Sequence, residues 1–293
     1  MQRKRTFYRI IRNFAGFSTM RKSLFILLSL AIALSSCSEY EQLLKSDDFS
    51  NKYVMAKQYY GEGNYAKALP LLDQLLTVKM GTSDEEEIRY YIAYCYYGQS
   101  QYLIAATLFK NFFISFPRSY RAEECLFQNA YSLYKASPPY NLDQTQTYKA
   151  LSECQYFVDT YKNSERVAEA NAIMDELRLK LETKEYESAN LYFATENYQA
   201  AAVTLENLLK DFPETTRAEE FSLQIARAYF NYASQSVPCK MPERFEKAIS
   251  SCDAFAAAYP NSISLPVIVA LKERSIVQKE KAIIDKANYD CNE

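Results

Sequence analysis

Residues Ile88–Pro117 read IRYYIAYCYYGQSQYLIAATLFKNFFISFP, two apolar-rich runs joined by a short polar turn around Gly98 and Ser100. Within each run, apolar residues recur three and four apart, the spacing of one helix face. The core of the stretch is Ala93-x-x-Tyr96-Tyr97-Gly98-x-Ser100-x-Tyr102-x-x-Ala105. Thirty-seven residues earlier the same order stands as Ala56-x-x-Tyr59-Tyr60-Gly61-x-Gly63-x-Tyr65-x-x-Ala68. Self-similarity at this period marks stacked helix pairs, in which each unit buries its apolar face only against its neighbours. Small residues at Ala56 and Ala93 let the two helices of a pair approach. Tyr65 and Tyr102 open the second helix, and Ala68 and Ala105 fill its tightest contact.

Composition agrees with an all-α chain. Among 293 residues there are only 5 Gly, against 26 Tyr and 17 Phe, and 48% of the residues are apolar. So few glycines leave little room for tight hairpins and suit short helix–helix turns. The formal net charge of −2 gives no global electrostatic case for a nucleic-acid partner. Histidine is absent, which removes the commonest general base and the commonest metal ligand together.

Residues 1–36 read as an export signal. The basic head Met20-Arg21-Lys22 precedes an apolar run, Ser23 to Leu34, too short for the roughly 20 residues that span a bilayer. Met20 is an alternative start, because the basic segment before it is not needed for an ordinary signal. The run ends in Leu34-Ser35-Ser36-Cys37, which resembles the bacterial lipobox: an aliphatic residue, two small residues and a cysteine. That resemblance implies cleavage before Cys37 and a covalent lipid on it, with no other cofactor expected. Several acyl chains on one cysteine anchor a protein firmly, where one chain is marginal. Ser38, rather than an aspartate, follows, which resembles an outer-membrane address. Residues 37–50 then read as an extended, lipidated tether. Cys95, Cys125, Cys154, Cys239, Cys252 and Cys291 show no CxxC or other close spacing, so no metal site is expected. Buried free thiols are the expectation for them, with pairing left open by export.

Five helix pairs follow from the pattern. The first covers about 51–78, with Pro70 expected in the first turn of its second helix, where a missing N–H costs little. The second opens on Ser83-Asp84-Glu85-Glu86, read as a capping box. A longer echo joins Phe116-Pro117 through Glu123-Glu124 to Phe212-Pro213 through Glu219-Glu220. The third pair is Glu123–Lys135 with about 147–161, and the fourth Lys184–Phe212. The fifth runs from Ala226-x-x-Tyr229-Phe230 to Tyr259-Pro260, and a polar helix of about 265–286 caps the stack. N-terminal repeats thus occupy 51–162, and later repeats with the cap 163–293. Longer segments at 136–146 and 234–243 interrupt the third and fifth pairs and are candidate recognition loops.

The small and aromatic positions are those of a tetratricopeptide (TPR) repeat, a TPR-like helix-pair solenoid. Ser137-Pro138-Pro139, Leu142-Asp143-Gln144-Thr145, Thr147-x-x-Ala150 and Phe157-x-x-x-Tyr161-x-Asn163-Ser164 resemble the third-repeat signature of the BamD family. These are TPR lipoproteins of the outer-membrane β-barrel assembly machinery. The resemblance covers nearly all of the chain after Cys37, although Lys162 stands where a proline is usual. It implies a non-enzymatic role on the periplasmic side of the outer membrane. N-terminal repeats would receive unfolded outer-membrane protein precursors, and C-terminal repeats would dock on the POTRA region of a BamA-type barrel protein.

First helices of such a stack line its ligand face. Positions three before, one after and four after the small residue give Tyr53, Lys57 and Tyr60, then Tyr90, Tyr94 and Tyr97, then Phe127, Tyr131 and Tyr134. Each trio forms one helical stripe. With Met55, Tyr59, Ile92 and Tyr96 assigned to the core, these aromatics read as surplus to packing and as a groove for an extended, aromatic-ended peptide. The bland alternative is packing against the neighbouring repeat. Competing functions are a TPR scaffold of cell-division or peptidoglycan machinery and a glycan-binding surface lipoprotein, the latter disfavoured by the absence of Trp. Acid–base catalysis by Glu123/Glu124 or Glu219/Glu220 is disfavoured, because both pairs open helices, where the dipole accounts for them.

Overall fold

In a computed structural model, residues 39–287 are described; the expected signal and Cys37 lie outside them. The described chain is helical, with no strand. It forms two compact units divided between Lys135 and Ala136. The first unit holds α1 (39–45), α2 (Phe49–Gly61), α3 (Tyr65–Lys79), α4 (Asp84–Gly98), α5 (Tyr102–Ser115) and α6 (Ala122–Ala136). The second holds α7 (Thr145–Thr160), α8 (Val167–Ala194), α9 (Tyr198–Asp211), α10 (Ala218–Ser234), α11 (Met241–Ala258) and α12 (Leu265–Ala287). The division falls inside the third repeat, at the end of α6.

The small positions behave as the repeat requires. Ala56, Ala93, Ala130, Ala189 and Ala226 on first helices are buried, as are Ala68, Ala105, Ala150, Ala201 and Ala248 on second helices. Between them lie large side chains such as Leu72, Phe109, Phe157, Leu205 and Phe255, also buried. Burying one such side chain is worth about 1.5–3 kcal/mol.

The tight turns share one device. Asn64, Gln101 and Asn197 each donate their backbone N–H five residues back, to Tyr59, Tyr96 and Tyr192, in the helix-ending Schellman pattern. The residue before each adopts a left-handed backbone: Gly63 at φ 72°, Ser100 at φ 59° and Glu196 at φ 61°. Only the first repeat spends a glycine there. The looser exits of the second helices end on Phe116, Tyr161, Phe212 and Tyr259, whose N–H groups bond to the carbonyl four residues back.

Several local expectations are corrected. Residues 39–45 are helical rather than an extended tether: Tyr40, Leu43 and Leu44 pack on the first core, and the Tyr40 hydroxyl donates to the Lys67 carbonyl at 2.9 Å. Pro70 is the sixth residue of α3, one turn deeper than expected, so the Ala66 carbonyl loses its helical donor. No capping box forms at Ser83, whose side chain makes no cap bond. Glu85 instead accepts the Gly81 N–H at 2.6 Å and pairs with Arg89. The fourth pair's first helix starts at Val167, 17 residues before Lys184, and buries Ala170, Ile173, Met174, Leu177 and Leu181 along one stripe.

The two long loops are closed on themselves rather than left free. The buried Gln144 amide donates to the Pro139 and Leu142 carbonyls at 2.8 and 3.0 Å, while its oxygen accepts from Thr147. Lys180 reaches Ser137, and Lys184 reaches the Leu142 carbonyl at 2.8 Å. The second loop is held where Arg244 donates to Ser236 and lies over the Tyr232 ring. Cys95, Cys125, Cys154 and Cys252 are buried free thiols, whereas Cys239 is disulfide-bonded. Burial pushes the Cys95 and Cys154 thiols up to about 12, far from the thiolate a nucleophile needs.

Candidate functional site

All eight aromatics of the expected groove belong to the first unit. Most of them meet in ring contacts, with Tyr91 joining Tyr60 to Tyr90, and they are not surplus to packing. Phe127 is buried, at 2% exposure, and is removed from any groove surface. Tyr94 meets Phe109 edge-on at 4.9 Å, and Tyr90 lies 4.8 Å from Tyr94. Tyr60 packs on Tyr91 at 4.6 Å, and Phe127 stacks on Tyr131, which neighbours Tyr134 at 5.8 Å.

Two glutamates absent from the expected site organise this stripe. Glu87 accepts hydrogen bonds from the Tyr53 hydroxyl, from Tyr91 at 2.9 Å and from Lys57 at 3.1 Å. Glu124 accepts from Tyr90 at 3.1 Å and from Tyr94. The same bond recurs in the second unit, from Tyr186 to Glu220 at 2.8 Å. In all three cases the tyrosine stands three residues before the small alanine of its repeat. The glutamate lies 34 residues later, six before the next small alanine. Arginines join twice: Arg121 lies over Tyr90 at 4.6 Å, and Arg217 over Tyr186 at 3.9 Å. Arg217 also holds Glu220 through two N–H bonds.

The preceding glutamate of each pair can serve a second bond. Glu86 accepts from Ser119 at 2.6 Å, and Glu219 from Ser262 at 2.5 Å. These acid pairs therefore tie one repeat to the next, which is their role beyond the helix dipole. A tyrosine at one position and a glutamate 34 residues on is the signal by which sequence reading could have found them.

The consequence is a divided stripe. The hydroxyls of Tyr53, Tyr90 and Tyr94 are committed to carboxylates. Burial, then the Glu87 hydrogen bond and charge, push Tyr91 up to about 12, and burial next to Glu124 does the same for Tyr90. Burial opposes ionisation of Glu87, yet the hydrogen bonds from Tyr53, Tyr91 and Lys57 win and hold it below the ordinary carboxylate range. By contrast, the half-buried Tyr60, Tyr97 and Tyr131 have no hydrogen-bond partner for their hydroxyls among the described residues. Tyr97 and Tyr131 face each other from neighbouring first helices at 6.4 Å. Within the stripe, these three tyrosines differ from Tyr53, Tyr90 and Tyr94 in that their hydroxyls are not committed to a carboxylate.

In the second unit the corresponding face carries different chemistry. Phe193, Arg227 and Phe230 occupy the equivalent positions and, with Val267, Leu271 and Arg274 of α12, line an open cavity of about 630 Å³. Arg274 lies over Phe230 at 4.8 Å, and neither arginine has an ion pair among the described residues. Among those residues no group of three or more acidic or cysteine side chains could hold a metal.

Comparison with solved structures returns helical-repeat chains. The TPR domain of P58(IPK) is 16% identical, with 82% of this chain and 69% of that one covered at a TM-score of 0.38. The TPR2AB domain of yeast Sti1, solved as a pHSP90 complex, is 13% identical, with 78% and 98% covered at 0.37. The human IFIT1 dimer with PPP-AAAA is 17% identical, with 88% and 63% covered at 0.26. A comparison with curated proteins gives no match. At the level of families, the model of YfiO, an outer membrane lipoprotein, matches residues 45–240, which include α2–α10. The chain belongs to the YfiO family of outer membrane lipoproteins.

Proposed function

We propose that this protein is a scaffold of β-barrel assembly, held by a lipid on Cys37 on the periplasmic side of the outer membrane. The family match across the repeats carries this reading, and it agrees with the resemblance of the Ser137–Thr145 loop and its surroundings to BamD. The row of Tyr60, Tyr97 and Tyr131 receives aromatic-ended segments of unfolded barrel precursors, since it offers ring faces and unengaged hydroxyls at once. The second unit docks on the POTRA region of a BamA-type protein. Its open cavity, with apolar walls and two unpaired arginines, suits an apolar segment that carries a carboxylate.

Anisotropy of a labelled C-terminal barrel-precursor peptide tests the groove. Tyr97→Phe and Tyr131→Phe remove hydroxyls that bond nothing in the protein, so melting should not move. Weakening of peptide binding by threefold or more in the double variant supports the groove. Undiminished binding by Tyr97→Ala together with Tyr131→Ala excludes it.

A further inference from the structure

Glu182 is the exception among the charged side chains of α8. It is 7% exposed, its Oε1 has no hydrogen-bond partner, and it forms no ion pair among the described residues. Burying such a group uncompensated is costly. The nearby cations are engaged elsewhere. Arg217, whose charge reaches Glu182, gives its N–H groups to Glu220 and its face to Tyr186. Arg178 pairs with Asp175, and Lys180 and Lys184 turn to the 137–142 loop.

Glu182 lines a cavity of about 530 Å³ between α8 and the α9–α10 turn. Asp211 and Glu214 stand on the turn side of the same cavity, and the half-buried Phe212 ring forms part of its wall. The molecule shows what completes such a set. At Tyr186 and Glu220 an aromatic face and a carboxylate are joined by Arg217, and Arg121 lies over Tyr90 while pairing with Glu87 at 3.8 Å. At Phe212 and Glu182 the aromatic and the carboxylate are present, and the arginine on the cavity wall, Arg178, is turned to Asp175 at 3.4 Å rather than to Glu182.

We infer that the cavity lined by Glu182, Phe212 and Glu214 is a receptor for one arginine side chain of a partner polypeptide. A guanidinium matches a carboxylate with two parallel N–H bonds, is less strongly hydrated than an ammonium and stacks on aromatic rings. Asp211 and Glu214 add attraction for the remaining N–H groups and steer the approach. This site is separate from the tyrosine row and from the Arg227 cavity, and it holds whether or not barrel assembly is the protein's task.

Saturation-transfer NMR on the full-length protein tests it, with acetyl-Leu-Arg-Leu-amide as the probe and its citrulline counterpart as the neutral control. The arginine peptide should bind at least fivefold more tightly than the citrulline peptide. Glu182→Gln should abolish that preference while melting at or above the wild-type temperature, since it keeps the side chain's size and removes a buried charge whose Oε1 has no hydrogen-bond partner. Glu214→Gln, an exposed substitution that leaves the fold alone, should weaken the arginine peptide about twofold. Equal binding of the two peptides, or an unchanged preference in Glu182→Gln, overturns the assignment. Free arginine methyl ester binding more tightly than the peptide overturns the polypeptide source and makes the cavity a small-molecule site.

Discussion

Gly61 and Gly98 stand at the same place in consecutive repeats, yet the structure gives them different duties. A Cβ on Gly98 would lie 2.1 Å from the Tyr65 ring, whereas one on Gly61 meets nothing within 4 Å. Gly98→Ala should therefore cost about 1–3 kcal/mol as α3 and α4 are forced apart. Gly61→Ala, near the end of α2, should be neutral or stabilising by up to about 1 kcal/mol. Urea unfolding of the two variants compares them directly. The left-handed residue of the second turn predicts a gain instead. Ser100 holds a left-handed backbone at φ 59° without being glycine, so Ser100→Gly should stabilise by roughly 0.5–1 kcal/mol. These distinctions were only partly legible in sequence. The repeated Tyr-Tyr-Gly fixes the turn, but which glycine is crowded depends on what the neighbouring repeat brings against it.

At the scale of elements, the three tyrosine–glutamate bonds link successive first helices and should add to stability in each unit separately. Tyr186→Phe removes the hydroxyl from Glu220 and should cost about 1 kcal/mol, read by thermal melting. Acid has a related effect. Hydrogen bonds from Arg217, then Tyr186, hold Glu220 below the ordinary carboxylate range, and Glu87 is held low by its three donors against burial. A depressed folded pKa gives stability that is present above the unfolded value of about 4.3 and lost as pH falls through the folded one. Melting temperature should thus drop below about pH 4.3, and Glu87→Gln with Glu220→Gln should make that drop shallower. Most elements were legible because small and aromatic residues recur at fixed offsets. The first 17 residues of α8 were not, since Asp175, Glu176, Arg178 and Lys180 break up its apolar stripe and no repeat template covers it. Nor was α1, whose Tyr40, Leu43 and Leu44 are too few to show a period. The groove was half legible: aromatic positions follow from counting, but the commitment of Tyr53, Tyr90 and Tyr94 needs the glutamates of the following repeat. No sequence pattern marks Glu182 as buried and unpartnered.

Across the whole molecule, helix pairs with their aromatic and charged faces provide surfaces rather than reacting groups. The four free thiols are buried, and the acid pairs in helix first turns bond neighbouring repeats. Its family places the chain among outer membrane lipoproteins, and the proposed role is to hold other proteins. The most direct test is a crosslinked pull-down of the tagged, full-length protein from native membranes, with partners identified by mass spectrometry. A POTRA-bearing barrel protein as the dominant partner is the predicted result. Recovery of cell-division or peptidoglycan proteins in its place would contradict the assembly role and leave the fold standing.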